Sequence, residues 1–272
     1  MLSYVASEDP WLKRLLIHSV EWITGRPMLV RRYREIQAMD LPPGQIWGEA
    51  LKKLSIRFDF PEDRLDLVPK EGPLVIIANH PFGVIDGLLL GHLASILRPK
   101  FHFLVNALLV RQDKRLNRFL LPIDFSESKA ALKTNLASRQ ASFDRIRQGE
   151  ALVIFPAGGV MTAPGGWGRA QELEWKRFAV KMVQQSKATV LPVYFDGQNS
   201  RIFHLASRIS MSLRLGLLLH EVRNKIGKEV KVVIGKPIPW SELEAIKDRQ
   251  VLLQTLQEKV LSLAASLPQG GK

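Results

Sequence analysis

An α/β fold, with a mixed central sheet flanked by helices, is predicted by three observations. Short apolar runs bounded by glycine, proline or charge recur along the chain, helical apolar spacing fills segments between them, and 272 residues suffice for one such core with a short appendage. The runs 74–78, 101–106, 151–155, 190–195 and 230–234 read as strands, and their unbroken apolar character suits strands buried on both faces. Residues 88–97 and 132–147 carry helical patterns between them, and a last helix is expected over 240–267, opening after Pro239.

The N-terminal segment is of another kind. Pro10 opens a helical pattern in which Trp11, Leu12, Leu15, Leu16, Trp22 and Ile23 recur, with Lys13, Arg14, Arg26, Arg31 and Arg32 supplying positive charge, and Gly25 with Pro27 marks its end. This is the pattern of an interfacial membrane anchor, and equally that of a helix covering the core. A second helix is expected over 32–39 before the Leu41-Pro42-Pro43-Gly44 break. The chain is therefore divided into an amphipathic membrane-association region, 1–44, and a catalytic domain, 45–272.

Composition narrows the function. Thirty-nine Lys and Arg against 26 Asp and Glu give a net charge of +13, which attracts polyanions: nucleic acid, anionic lipid or an acidic carrier. The absence of cysteine removes disulfides and thiolate metal sites and fits a cytoplasmic protein. No apolar run is long enough to span a bilayer and no secretory leader is recognisable, so a peripheral position on the cytoplasmic membrane face is expected. A nucleic-acid binder is disfavoured, because zinc-finger spacing, an RNP-type aromatic motif and a recognition-helix pattern are all lacking. A hydrolase lacks its Gly-x-Ser-x-Gly elbow, and His18, His92, His102, His204 and His220 show no metal-ligand spacing.

Chemistry concentrates in Asn79-His80-Pro81-Phe82-Gly83-Val84-Ile85-Asp86-Gly87, directly after the first strand. Gly83 permits a sharp turn, by which the Asp86 carboxylate can fold back onto one imidazole nitrogen of His80 and leave the other to a substrate hydroxyl. The loop, followed by Asp-Gly at a helix start, resembles the signature of the glycerolipid (lysophospholipid) acyltransferases, in its His-Pro-Phe-Gly form. Further matches are Phe155-Pro156-Ala157-Gly158-Gly159 and the strand Val190-Leu191-Pro192-Val193, and together they extend over residues 70–240.

The resemblance implies His80 and Asp86 as catalytic base and orienting acid. It also implies a substrate site drawn from Asn79, Phe82, Gly83, Asp124, Phe155, Pro156, Gly158 and Gly159, with the second block beside the acceptor headgroup. The co-substrate would be an acyl-CoA or acyl carrier protein thioester, with no metal and no cofactor, and the acceptor a lysolipid at an anionic membrane surface. Three departures bear on this. Asp86 follows His80 by six residues where the family has five; Ala157 replaces the family's Glu; and Phe125 follows Ile123-Asp124 where members acting on lysophosphatidic acid carry an Arg. With both phosphate-clamp residues absent, a lyso-aminolipid such as lyso-ornithine lipid competes with lysophosphatidic acid, and Asp124 could meet a cationic headgroup. Gly158, Gly159, Gly165 and Gly166, bordered by Trp167 and Arg169, form a glycine-rich region that suits an oxyanion or a flexible loop. Arg111, Lys114, Arg115 and Arg118 form a basic cluster for headgroups, a carrier or solvent. A lipid-binding relative without activity is the remaining alternative.

Overall fold

A computed structural model describes residues 10–23, 25–107, 115–124, 126 and 128–267; the side chains of Lys13, Leu16, Met211 and Ser212 are not described. Arg111, Lys114 and Phe125 therefore lie outside the described residues. The fold is the expected α/β one. Its strands are β1 (Leu74–Ala78), β2 (Phe101–Asn106), β3 (Leu120–Ile123), β4 (Ala151–Ile154), β5 (Thr189–Phe195) and β6 (Val232–Ile234). They form one sheet of six in the order β3-β2-β4-β1-β5-β6. All neighbours run parallel except β5 and β6, which are antiparallel, so the sheet is mixed.

The central strand β1 accounts for the unbroken apolar runs. Leu74, Ile76 and Ala78 belong to the core on one face, and Val75 and Ile77 to the core on the other. Helices α1 (Trp11–Ile23), α2 (Arg26–Gln37), α3 (Ile46–Lys53), α4 (Glu62–Leu65) and α5 (Val84–Leu97) precede or follow β1. After β3 come α6 (Lys129–Arg147), α7 (Phe178–Ser186), α8 (Arg201–Ile209) and α9 (Met211–Lys225), then α10 (Trp240–Leu243) and α11 (Arg249–Ser262). The first core lies under α3, α5 and α9, and the second under α7 and α11.

Several elements differ from expectation for local reasons. The second helix starts at Arg26, with Pro27 in its first turn where the missing N–H costs nothing, six residues earlier than read. The single C-terminal helix is divided: Asp248 accepts from Gln250 and Val251 N–H and caps α11 afresh. Strand β3 was unread because it is four residues long and holds Pro122 on a sheet edge, where a lost N–H is tolerated.

Helix α1 does not stand apart from the rest. Its Ile17 is fully buried, and it lies along α9 at Gly216, where an added Cβ would stand 3.2 Å from Val20. Trp11, Leu12, Leu15, Trp22 and Ile23 remain exposed on its outer side. No helix among the described residues is long and apolar enough to cross a membrane.

Candidate active site

From β1 the chain passes through α5, on the first-core face, to β2, whereas from β4 it passes through α7, on the opposite face, to β5. The neighbours β1 and β4 thus send their chains to opposite sides, which opens a crevice beyond their carboxyl ends. His80 follows β1 and Phe155 follows β4, and the two rings stack across that crevice with centroids 3.9 Å apart and planes inclined by 20°.

The Asp86 carboxylate is fully buried. Its Oδ2 accepts from His80 Nδ1 at 2.9 Å, from Phe82 N–H at 2.8 Å and from Gly83 N–H at 2.9 Å. Asp86 stands in the first turn of α5, inside the helix rather than ahead of it, and its reach back to the Gly83 N–H is the acidic half of a capping box. Gly83 has φ +89° and ψ −106°, a backbone state open to glycine, and this turn absorbs the sixth residue between His80 and Asp86. A carboxylate can only accept, so Nδ1 carries the imidazole proton and Nε2 holds the lone pair. Among the described residues Nε2 is neither sealed nor bonded, and the His80 side chain keeps 14% of its surface open. The couple is therefore arranged to take a proton at Nε2 and to stabilise the imidazolium at Nδ1.

The other expected site residues divide into those that meet His80 and those that hold it. Asn79 is buried and its amide bonds both the N–H and the C=O of Phe195, at 2.8 and 2.9 Å, tying the end of β1 to the end of β5. Phe82 is buried beneath the Lys225 ammonium, 4.0 Å from its ring centroid, and faces the core. Both side chains, expected at the substrate, are thus buried in the protein. Phe155 touches His80; Pro156 is buried, and Gly158 and Gly159 continue into Val160 and Met161, whose N–H donates to His80 O at 2.8 Å.

Asp124 is not brought to this crevice. It directly follows β3, with β2 and β4 between that strand and β1, roughly 14 Å in strand spacings. Its Oδ1 accepts from Ser126 N–H, and its backbone is bracketed by the Asn135 amide, so it shapes a local turn. Trp167 is exposed with the Arg201 guanidinium 5.8 Å from its ring, and Arg208 donates to Gly165 O. Among the described residues no group of three or more His, Asp and Glu could hold a metal ion.

Two site residues had no sequence signal. Glu172 reaches back from beyond the glycine-rich region to the His80 N–H at 3.4 Å. Burial, with the Asp86 charge adding to it, raises its pKa to about 7, while the His80 N–H and the nearby Trp175 indole oppose the shift. Trp175 Nε1 and Glu172 Oε1 nevertheless both lack hydrogen-bond geometry, so the indole contributes proximity alone. Arg214 projects from α9 to donate to Val160 O at 2.6 Å. Helix α9 also sets Leu218 against Gly83, where an added Cβ would be 3.0 Å away, and so backs the whole loop.

Between its ordinary 4.5 and about 7, the folded protein keeps the Glu172 proton that the unfolded chain releases, so stability falls as pH rises through that window. Above it the full penalty remains. Glu172→Gln preserves the acceptor for His80 N–H but cannot ionise. Its melting temperature is expected to exceed that of the wild type by several degrees at pH 8, the gap closing toward pH 5. A variant less stable than wild type at pH 8 would mean that the ionised carboxylate is held by partners.

A buried acid that bonds one imidazole nitrogen and leaves the other open, at a sheet crevice, is an arrangement suited to general-base chemistry. The chain belongs to the acyltransferase family, whose match covers residues 29–270, and it is an acyltransferase. This agrees with the resemblance read from the His-Pro-Phe-Gly loop. It is 31% identical over 191 residues, 67% of each chain, to a lyso-glycine lipid O-acyltransferase of Bacteroides thetaiotaomicron. It is 27% identical over 206 residues, 73% of this chain and 71% of the other, to a protein of the same description from Phocaeicola vulgatus. The fold is that of the crystal structure of the 1-acyl-sn-glycerophosphate (LPA) acyltransferase from Thermotoga maritima, with a TM-score of 0.51, 13% identity, and coverage of 96% of this chain and 99% of that one.

Proposed function

We propose that the protein transfers a fatty acyl chain from a thioester donor, acyl-CoA or acyl carrier protein, to the hydroxyl of a lysolipid at a membrane surface. The observation that carries this reading is the His80–Asp86 couple, with Nδ1 bonded at 2.9 Å and Nε2 open. His80 Nε2 takes the hydroxyl proton as the oxygen attacks the thioester carbonyl, and the imidazolium returns that proton to the departing thiolate, giving ester and free thiol. Covalent catalysis would need a nucleophile within reach of the base, and no Ser or Thr hydroxyl is hydrogen-bonded to His80 among the described residues. The intact couple also speaks against an inactive lipid-binding relative.

For the acceptor, Ala157 and Phe125 stand where the family's phosphate-clamp residues would be, and two relatives are described as acting on lyso-glycine lipid. Both facts favour a lysolipid with an amino-acid headgroup over lysophosphatidic acid. The test is to incubate the purified protein with labelled acyl-CoA or acyl carrier protein and a panel of lyso-glycine lipid, lyso-ornithine lipid and lysophosphatidic acid. Transfer that disappears in His80→Ala supports the reading, and its absence with every acceptor overturns it.

The membrane surface is argued from two exposed faces. On α1, Trp11, Leu12, Leu15, Trp22 and Ile23 are each more than half exposed beside a face that packs on α9. On α8, Arg201, Ile202, Leu205, Arg208 and Ile209 share one exposed face beside Trp167, combining apolar and cationic groups as an anionic bilayer surface requires. In this reading helices α1 and α2, within the 1–44 region, both pack on the catalytic domain and hold it to lipid. Mutating Trp11 and Trp22 together to Ala is expected to weaken co-sedimentation with anionic vesicles at least about tenfold, without change in melting temperature. Unaltered binding would leave α1 as a covering helix alone.

A further inference from the structure

We infer that Arg214 binds the acceptor through a carboxylate in its headgroup, an inference that rests on the lysolipid reading above. The guanidinium is held in place on two sides. Nη2 donates to Val160 O at 2.6 Å, and its carbon stands 5.5 Å from the ring centroid of Phe203, which is fully buried. The next residue, Met161, donates to His80 O at 2.8 Å, so the cation and the base are joined to adjacent residues of one loop.

The charge is unanswered. Arg26, which is also largely covered, meets the buried Glu21. Arg214 has no carboxylate partner among the described residues, and the buried Glu221, two turns further along α9, is engaged by Ser200 and Asn224. Burial pushes the Arg214 pKa down with no anion to oppose it, yet a guanidinium keeps its charge. A partly buried, unpaired cation is costly to the free protein and is relieved by a ligand that supplies the anion.

Gly159 lets the loop pass close to the cation, since a Cβ there would stand 3.0 Å from Leu173 and 4.0 Å from Arg214 Nη2, and the carboxylate is assigned to the guanidinium nitrogens that Val160 O does not use. One planar guanidinium with one nitrogen committed to Val160 O matches one planar, singly charged carboxylate better than a doubly charged phosphate monoester. An amino acid joined to its acyl chain through nitrogen presents such a carboxylate.

The experiment measures binding by calorimetry on the full chain, with N-lauroylglycine, its methyl ester and coenzyme A as probes. Wild type is expected to bind the acid about 10- to 100-fold more tightly than the ester, Arg214→Gln to erase that preference, and Arg214→Lys to restore part of it. Coenzyme A affinity should be the same in all three proteins. Equal wild-type affinity for acid and ester overturns the assignment without recourse to any variant, as does a preference that survives in Arg214→Gln. Loss of coenzyme A affinity alone in that variant would put the anion on the donor and also overturn it. Binding is read without turnover, so failure of acyl transfer would count against the function proposed above and leave this result to stand separately.

Discussion

His80→Ala is expected to lower acyl transfer by about 100-fold to 10,000-fold, measured under single turnover with saturating donor, while the melting temperature moves by only a few degrees. The rate effect is large because, among the described residues, the two acids beside His80 are otherwise engaged: Glu172 uses Oε2 on the His80 N–H, and Asp86 is sealed behind the ring. The stability effect is small because the ring contributes one hydrogen bond and one stack, whereas Asp86 keeps both of its backbone partners without it. A variant that retains full activity would remove His80 from the mechanism.

Asp86→Asn is expected to cost in both currencies. The amide oxygen can take the place of Oδ2, but the negative charge facing the imidazolium is lost, and the amide NH2 occupies the buried position where Oδ1 has no partner. Transfer should fall by about 100-fold, and about 2–4 kcal/mol of lost charge-assisted bonding and buried unsatisfied donor should lower the melting temperature by about 5 °C or more. The two roles separate in a double-variant cycle. Added to His80→Ala, the Asn substitution should lower the melting temperature again but the rate hardly at all. An unchanged rate in the single variant would reduce Asp86 to the helix-starting role that its bonds to Phe82 and Gly83 already give it.

Much of this was legible in the chain because parallel strands are buried on both faces and therefore write themselves as apolar runs; β1, β2, β4 and β5 were found within a residue or so. The His80–Asp86 pairing was legible because its parts are local, with Gly83 between them. What decided the rest was distant. Asn79 and Phe82 sit in the signature loop, but their side chains answer to Phe195, 116 residues on, and to Lys225, so local reading put them at the substrate. Helix α9 carries no clean polar face, because it is packed by α1, α8 and the first core at once, and its apolar residues Leu213, Leu215, Leu217, Leu218, Leu219 and Val222 follow no single stripe. Arg214 and Glu172 were invisible for that reason: each belongs to a segment whose place is set by tertiary packing.

The sharing of α9 has a consequence for how such a chain can vary in length. Gly216 receives α1 on one side of the helix, while Arg214 and Leu218, two residues before and after it, address Val160 and Gly83 on the other. Inserting or deleting one residue between them would turn everything beyond by about 100° and break one of the two contacts whatever its composition. A change of length in this stretch is therefore expected to cost more than a substitution. At Gly168, by contrast, an added Cβ meets nothing within 4 Å, so the packing there places no comparable demand on the backbone.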